Sequence, residues 1–167
     1  MNKRGFIKSG HTPTLVSALL YFDVSFMVWV ILGPLAPFLR EQFGLSATAQ
    51  GLLVAVPLLG GSLFRPILGV MGDRIGGRRT GLLGLVLTST ALIIGWTVAS
   101  APWHLFVLGF FLGIAGASFA VALPLASRWY PPEYQGLAMG IVGAGNSGSL
   151  MATMFAPRLA ERLGWAA

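Results

Sequence analysis

Five apolar stretches, at about residues 15–39, 46–71, 80–99, 103–127 and 135–159, recur along the chain. Each has about the 20 residues that an α-helix needs to cross a bilayer. The separators are polar or helix-breaking: Arg40-Glu41-Gln42-Phe43-Gly44, Gly72 to Arg79, Ser100-Ala101-Pro102 and Arg128 to Gln135. In hydrocarbon every backbone polar group must be satisfied within the segment, which leaves helices as the natural reading of such runs. Ser46 is placed to cap the second helix. Charged residues are 10% of the chain and mean hydropathy is +0.78, against about 25% charged residues in a soluble domain. The expected fold class is therefore an all-α membrane protein with five transmembrane helices, in which bilayer insertion replaces a single globular core.

The formal charge of +6 is distributed in short segments between apolar runs, which is a topology signal and not a nucleic-acid patch. With the N-terminus inside, Lys3, Arg4, Lys8, Arg74, Arg78, Arg79 and Arg128 lie on the inner side. Arg40, Arg158 and Arg162 lie outside, a ratio of seven to three that selects this orientation. The expected organisation is a cytoplasmic segment 1–14, a bundle 15–159 and an external end 160–167. That end, Leu163-Gly164-Trp165-Ala166-Ala167, has no stop structure and reads as cut short. The first apolar run follows basic residues, but it is too long for a signal-peptide core, carries Asp23 and lacks a small-residue cleavage site; it is read as a retained span.

Enzyme classes find little support. Without cysteine, disulfides, thiolate metal sites and cysteine nucleophiles are excluded. His11 and His104 have no ligand or triad partners at useful spacing, and there is no Walker sequence. Gly143-Ala144-Gly145-Asn146-Ser147-Gly148 matches G-x-G-x-x-G, yet a dinucleotide fingerprint needs a βαβ unit that the preceding spans do not provide. No cofactor is expected.

The charges inside the spans carry the functional signal. Arg65 sits within the apolar run Leu52 to Val70, where an arginine costs about 2.5–3.5 kcal/mol on insertion scales and is usually kept for a function. The alternative is a guanidinium snorkelling to the headgroups, although Arg65 lies roughly 12 Å along the helix before Asp73. Asp23 falls within the first span, and antiparallel running of the second span places it at a depth similar to Arg65. The two are expected to pair when no substrate is bound, and an arriving anion would release Asp23 to take a proton. The other reading is that Asp23 bonds a serine or a backbone group.

The loop after the second span reads Gly69-Val70-Met71-Gly72-Asp73-Arg74-Ile75-Gly76-Gly77-Arg78-Arg79. It is a glycine turn holding one carboxylate among arginines, where Asp73 is expected to pair with a neighbouring arginine or to cap a helix. Read alone, it could be no more than a basic topogenic loop. The run resembles the signature loop of the major facilitator superfamily, G-x-x-x-D-R-x-G-R-R, with one glycine substituted or slid, and it lies between spans two and three as in that family. The resemblance implies a gating latch comprising Gly69, Asp73, Arg74, Gly76 and Arg78.

A second set of segments resembles the nitrate/nitrite porters of that superfamily. These are Gly113-Ile-Ala-Gly-Ala-Ser-Phe-Ala-Val, Ser127-Arg128-Trp129-Tyr130-Pro131, Gly136-Leu-Ala-Met-Gly140, Gly143-Ala144-Gly145-Asn146-Ser147-Gly148 and Pro157. The whole chain aligns with the first five of twelve expected spans, an incomplete N-terminal half whose C-terminal partner half is missing. The resemblance implies nitrate and/or nitrite as substrate, moved across the inner (plasma) membrane by alternating access, with protons as a candidate second partner. It places Arg65 at the anion site, Phe119 against the substrate and Asn146 as an amide donor. The chemistry is consistent, because a guanidinium fork offers parallel donors to two oxygens of a planar anion. Gly143 and Gly145 would let the anion approach the backbone of span five, and Pro66 would loosen the helix beside Arg65. Phe119 as filler and Asn146 as an interhelical hydrogen bond are the plain alternatives. Alternatives at the level of function are another small anion, such as cyanate or an organic acid, and a non-transporting fragment. Gly109/Gly113/Ala117 and Gly136/Gly140/Ala144/Gly148 form small-residue faces expected to pack helices closely.

Overall fold

Pro102, Pro131 and Pro132 stand at helix starts, where their missing N–H has no intrahelical partner to lose. Gly44 (φ +61°) and Gly76 (φ +88°) terminate helices in backbone conformations that residues with a Cβ rarely adopt. The computed structural model describes residues 3–164, so Trp165, Ala166 and Ala167 of the expected external end, and Met1 and Asn2, lie outside the described residues. The helices are α1 (Lys3–Ser9), α2 (Thr12–Val30), α3 (Leu32–Phe43), α4 (Ala47–Ile75), α5 (Gly77–Val98), α6 (Pro102–Gly116), α7 (Phe119–Ser127), α8 (Pro132–Gly143) and α9 (Gly148–Leu163). A 3-10 turn, Ala144–Ser147, joins the last two. The Ser46 hydroxyl accepts from the Ala49 amide at 3.1 Å, so the expected cap is present.

Among the described residues, four segments are long and apolar enough to cross a membrane: Thr12–Phe43, Ala47–Ile75, Gly77–Val98 and Pro102–Ser127. The first combines α2 and α3, which part at Ile31. Pro34 lacks the amide that would bond the Val30 carbonyl, which accounts for the break. The fifth expected span is divided by the 3-10 turn, where Gly143, Gly145 and Gly148 weaken α-helical continuity. By contrast, Pro57 and Pro66 leave α4 in one run. The separator expected at 72–79 shrinks to a single residue, since α4 extends to Ile75 and α5 begins at Gly77.

The α4–α6 contact is the most extensive between helices, and glycine makes it possible. A methyl on Gly60 would meet the Phe110 carbonyl and come within 3.2 Å of the Gly113 Cα. A methyl on Gly113 would strike the Gly60–Gly61 backbone. Gly109 faces Leu32 at 3.0 Å and Pro57 at 3.5 Å. The Gly109/Gly113/Ala117 face thus packs as expected. The Gly136/Gly140/Ala144/Gly148 face behaves differently: Gly136 and Gly140 meet nothing within 4 Å, and only Gly148 presses on a neighbour, the α2 backbone at Asp23 and Met27. In span five the close contact with α2 is made by the 3-10 turn together with the start of α9 at Gly148.

Two apolar clusters occupy opposite ends of the bundle. One joins Leu32, Leu35, Leu39, Leu53, Leu105 and Leu112. The other joins Phe6, Leu15, Phe22, Ala126, Tyr130 and Val142. α1 belongs to the second end: Phe6 stacks on Tyr130 at 4.6 Å and meets Tyr134 edge-on at 5.7 Å. Outside, Leu58, Leu59, Leu63, Ile67, Leu82, Val86 and Ile93 are each more than half exposed, as surfaces solvated by lipid tails are.

Candidate functional site

Trp29 organises the middle of the bundle. Its ring lies in a slot made by the absence of two side chains. Gly61 of α4 has the indole 3.3 Å from where its Cβ would be, and a Cβ on Gly116 of α6 would overlap the ring. The indole Nε1–H donates to the Pro57 carbonyl at 2.9 Å, so a buried donor is satisfied. Four residues beyond Gly61, on the same face of α4, Arg65 places its guanidinium carbon 5.5 Å from the centroid of a Trp29 ring. The Arg65 Nε–H donates to the Gly116 carbonyl at 3.4 Å.

That carbonyl is available because span four breaks after Gly116. In a continuous helix it would accept the Ala120 amide, which here bonds Ala117. The break also positions Phe119, first residue of α7 and 44% exposed. An aromatic chain then runs from the cation: Trp29 to Phe26 at 4.9 Å, Phe26 to Phe22 at 4.4 Å, and Phe22 to Phe119 at 5.7 Å. Arg65 and Phe119 thus share one aromatic surface, with α2 supplying the residues between them. The terminal guanidinium nitrogens of Arg65 have no hydrogen-bond partner among the described residues, and Arg65 is exposed and is the one charged residue between Leu52 and Val70. The fork is tethered at Nε by one long bond and open at its two ends, which can offer donors to two acceptor oxygens.

On the other side of α2, the Ser147 hydroxyl donates to Asp23 Oδ1 at 2.7 Å. The expected Asp23–Arg65 ion pair is absent from this conformation. Similar depth does not fix rotation about the helix axis. Six residues separate Asp23 from Trp29, about 240° around the helix, so Asp23 faces the 3-10 turn while Trp29 faces Arg65. A Cβ on Gly145 would lie 2.9 Å from the Asp23 nitrogen, the Leu19 oxygen and Phe22, so the space its missing side chain leaves is taken by α2. Gly143 is half-buried and has open space at its Cβ position. Asn146, next to Ser147, is exposed, and its backbone carbonyl accepts from the Ser149 hydroxyl at 2.7 Å.

At the end of α4, Asp73 pairs with Arg128 at 2.6 Å rather than with an arginine of its own segment. The bond ties the second span to the end of the fourth. Around it, Gly69 faces Ala120 at 3.9 Å and Gly77 faces Leu125 at 3.2 Å, so the glycines of the motif serve close passage of α4 and α5 past α7. Arg74 and Arg78 are exposed, and Gly76 carries the turn itself. Both partners of the ion pair are more than half exposed, 71% for Asp73 and 55% for Arg128, so its contribution to stability is about 0–1 kcal/mol. The sequence offers Arg128 as a topology signal and, with Gly116, as a member of the segments that resemble the porters, with no contact for either, and it gives Trp29 no role.

Comparison with known proteins agrees with this architecture. The family model described as Major Facilitator Superfamily matches residues 18–167. A "Probable nitrate/nitrite transporter NarK2" of Mycobacterium tuberculosis is 36% identical over 158 residues, covering 93% of this chain and 40% of the relative. A "Probable nitrate/nitrite antiporter NarK1" of Thermus thermophilus is 36% identical over 142 residues, 84% of this chain and 31% of the relative. A "Probable nitrate transporter NarT" of Staphylococcus aureus is 33% identical over 159 residues, 95% and 40% respectively. The chain therefore spans at most about 40% of the length of these relatives. Apolar spans, the glycine-mediated α4–α6 crossing, the Asp73 turn and a match covering nearly the whole sequence converge: this chain belongs to the Major Facilitator Superfamily.

Proposed function

We propose that the chain is part of a secondary transporter that moves nitrate and/or nitrite by alternating access across the plasma (inner) membrane, with its N-terminus in the cytoplasm. The observation that carries the reading is Arg65, over the Trp29 ring at 5.5 Å and bonded at Nε to Gly116, with its terminal donors unpartnered among the described residues on an apolar span. The names of the relatives supply the substrate class. In this reading the fork of Arg65 receives two oxygens of the anion, the exposed face of Phe119 covers it, and Asn146 supplies an amide donor. Substrate in such carriers lies between two halves of the fold, so the chain contributes one wall of the site. The Asp73–Arg128 pair, with Arg74, Gly76 and Arg78, forms the latch whose making and breaking accompanies the change of access. Proteoliposomes containing the product of the complete reading frame test the substrate. Nitrate and nitrite are expected to compete with labelled nitrate uptake, and cyanate or small organic acids are expected not to. Dominant competition by an organic acid would replace nitrate as the substrate.

Asp23 is retained as the proton-coupling candidate on changed grounds. Its carboxylate is held by Ser147, so protonation would loosen the junction of α2 with the 3-10 turn instead of freeing Arg65. Asp23→Asn is expected to make uptake at acid and alkaline pH equal while leaving exchange of substrate for substrate intact. A preserved pH gradient dependence in that variant would assign Asp23 to structure alone.

A further inference from the structure

Beyond Gly95, where α5 touches Leu108 of α6 so closely that a Cβ on the glycine would lie 2.7 Å from it, the two helices flank a groove of about 550 Å³. Its walls include Leu87, Ala91 and Ile94 of α5 and Val107 and Phe111 of α6, with Phe64 of α4 also lining it. All of these are apolar. Two polar residues also line it: Thr90, whose hydroxyl donates to the Val86 carbonyl at 2.8 Å, and, near one end, His104, beside Trp103 at the start of α6. His104 Nδ1 accepts the amides of Ser100 (3.3 Å) and Ala101 (3.1 Å). That requirement fixes the neutral tautomer, and the proton resides on Nε2. Nε2 has no hydrogen-bond partner among the described residues. Trp103, 62% exposed, and Trp96, 68% exposed, stand near the same end, as aromatic residues do at the level of lipid headgroups and esters.

From these observations we propose that the groove is a binding site for one phospholipid acyl chain, anchored by His104 Nε2–H donating to an ester-level oxygen of the same lipid. Length and polarity agree. Leu87 to Val98 spans roughly 16 Å along α5, about half of the ~30 Å hydrocarbon core and so the depth that one acyl chain of one leaflet occupies. A soluble apolar ligand would leave the Nε2 donor unmatched, whereas a lipid presents its acceptor oxygens where the chain meets the interface. The gain over bulk lipid comes from this hydrogen bond and from filling a concave surface, because transfer from one hydrocarbon environment to another gives no hydrophobic driving force.

The test uses the transporter expressed from its complete reading frame in liposomes containing a phosphatidylglycerol with a diazirine at mid-chain. After photolysis, adducts are expected to be enriched on 87–98 and 103–111 by about fivefold over other lipid-exposed stretches, the shift one net hydrogen bond produces. Ile94→Trp, which fills the groove from an exposed position, removes the enrichment, while Val86→Trp, equally exposed on α5 but outside the groove, leaves it. His104→Gln keeps both an acceptor for the cap and a donor, and retains the enrichment. His104→Glu keeps the cap acceptor but loses the donor, and reduces the enrichment to the level of bulk lipid. Even labelling of all exposed faces, or enrichment unaffected by Ile94→Trp, overturns the site. Equal enrichment in the two His104 variants overturns the anchor.

Discussion

In the proposed transporter, Arg65→Gln is expected to reduce nitrate flux by about a hundredfold or more, the scale of removing one partner from a desolvated charge pair. Arg65→Lys is expected to fail nearly as badly. Lysine is a compact point charge on a flexible stem; it would lose the Gly116 bond and the bidentate fork together. The measurement is initial uptake of labelled nitrate into proteoliposomes, with thermal unfolding in detergent as the control for folding. The two variants should unfold close to the parent, because Arg65 is exposed and its single protein bond is long. Unchanged flux in Arg65→Lys would show that charge alone suffices, and the fork would have no part in recognition.

The second large effect concerns the α4–α6 crossing. Gly113→Val is expected to abolish the folded bundle, seen as loss of a monodisperse peak in detergent and of membrane-inserted protein. A Cβ at 113 meets the Gly60–Gly61 main chain, which cannot rotate away as a side chain can. Overpacking a core with flexible neighbours costs about 1–3 kcal/mol; against backbone the helices must separate and the largest contact surface of the protein is lost. The same substitution at Gly140, which has open space, is expected to be tolerated. Its tolerance separates the packing effect from the general burden of a β-branched residue in a glycine-rich helix. Gly113→Val folding as well as Gly140→Val would contradict the crossing.

The parts of the fold legible in the sequence were those that depend on composition along one dimension. Span positions follow from runs of apolar residues, the Ser46 cap from a hydroxyl at a helix start, and Arg65 from a charge where charge is expensive. Azimuth was not legible in the same way. Asp23 and Arg65 share a depth, but α2 turns Asp23 toward Ser147 and Trp29 toward Arg65, and only packing decides such rotations. Trp29 had a faint signal, since a tryptophan deep in a span must find an acceptor for its indole N–H and is unlike the interfacial ones. The role of Gly116 had none: its carbonyl becomes available because span four breaks there, and a break without proline is hard to read from residues alone. The long-range partner of Asp73 was hidden by three nearer arginines, which proximity in sequence favoured. Gly145 illustrates the ambiguity of glycine, since permissiveness toward a ligand and permissiveness toward a neighbouring helix look identical in one dimension.

The contact of α2 with the 3-10 turn carries a mechanical consequence. With Gly145 and Gly148 seated against the main chain of α2 and Ser147 clasping Asp23, the first and fifth spans are clamped into one girder near mid-membrane. Sliding one along the other would drive a carbonyl ridge into glycine-sized notches of the wrong register. In the proposed cycle this pair would move as a unit while Asp23 keeps its charge and its Ser147 bond, and the compliance would lie in the interrupted backbone at Ile31 or after Gly116.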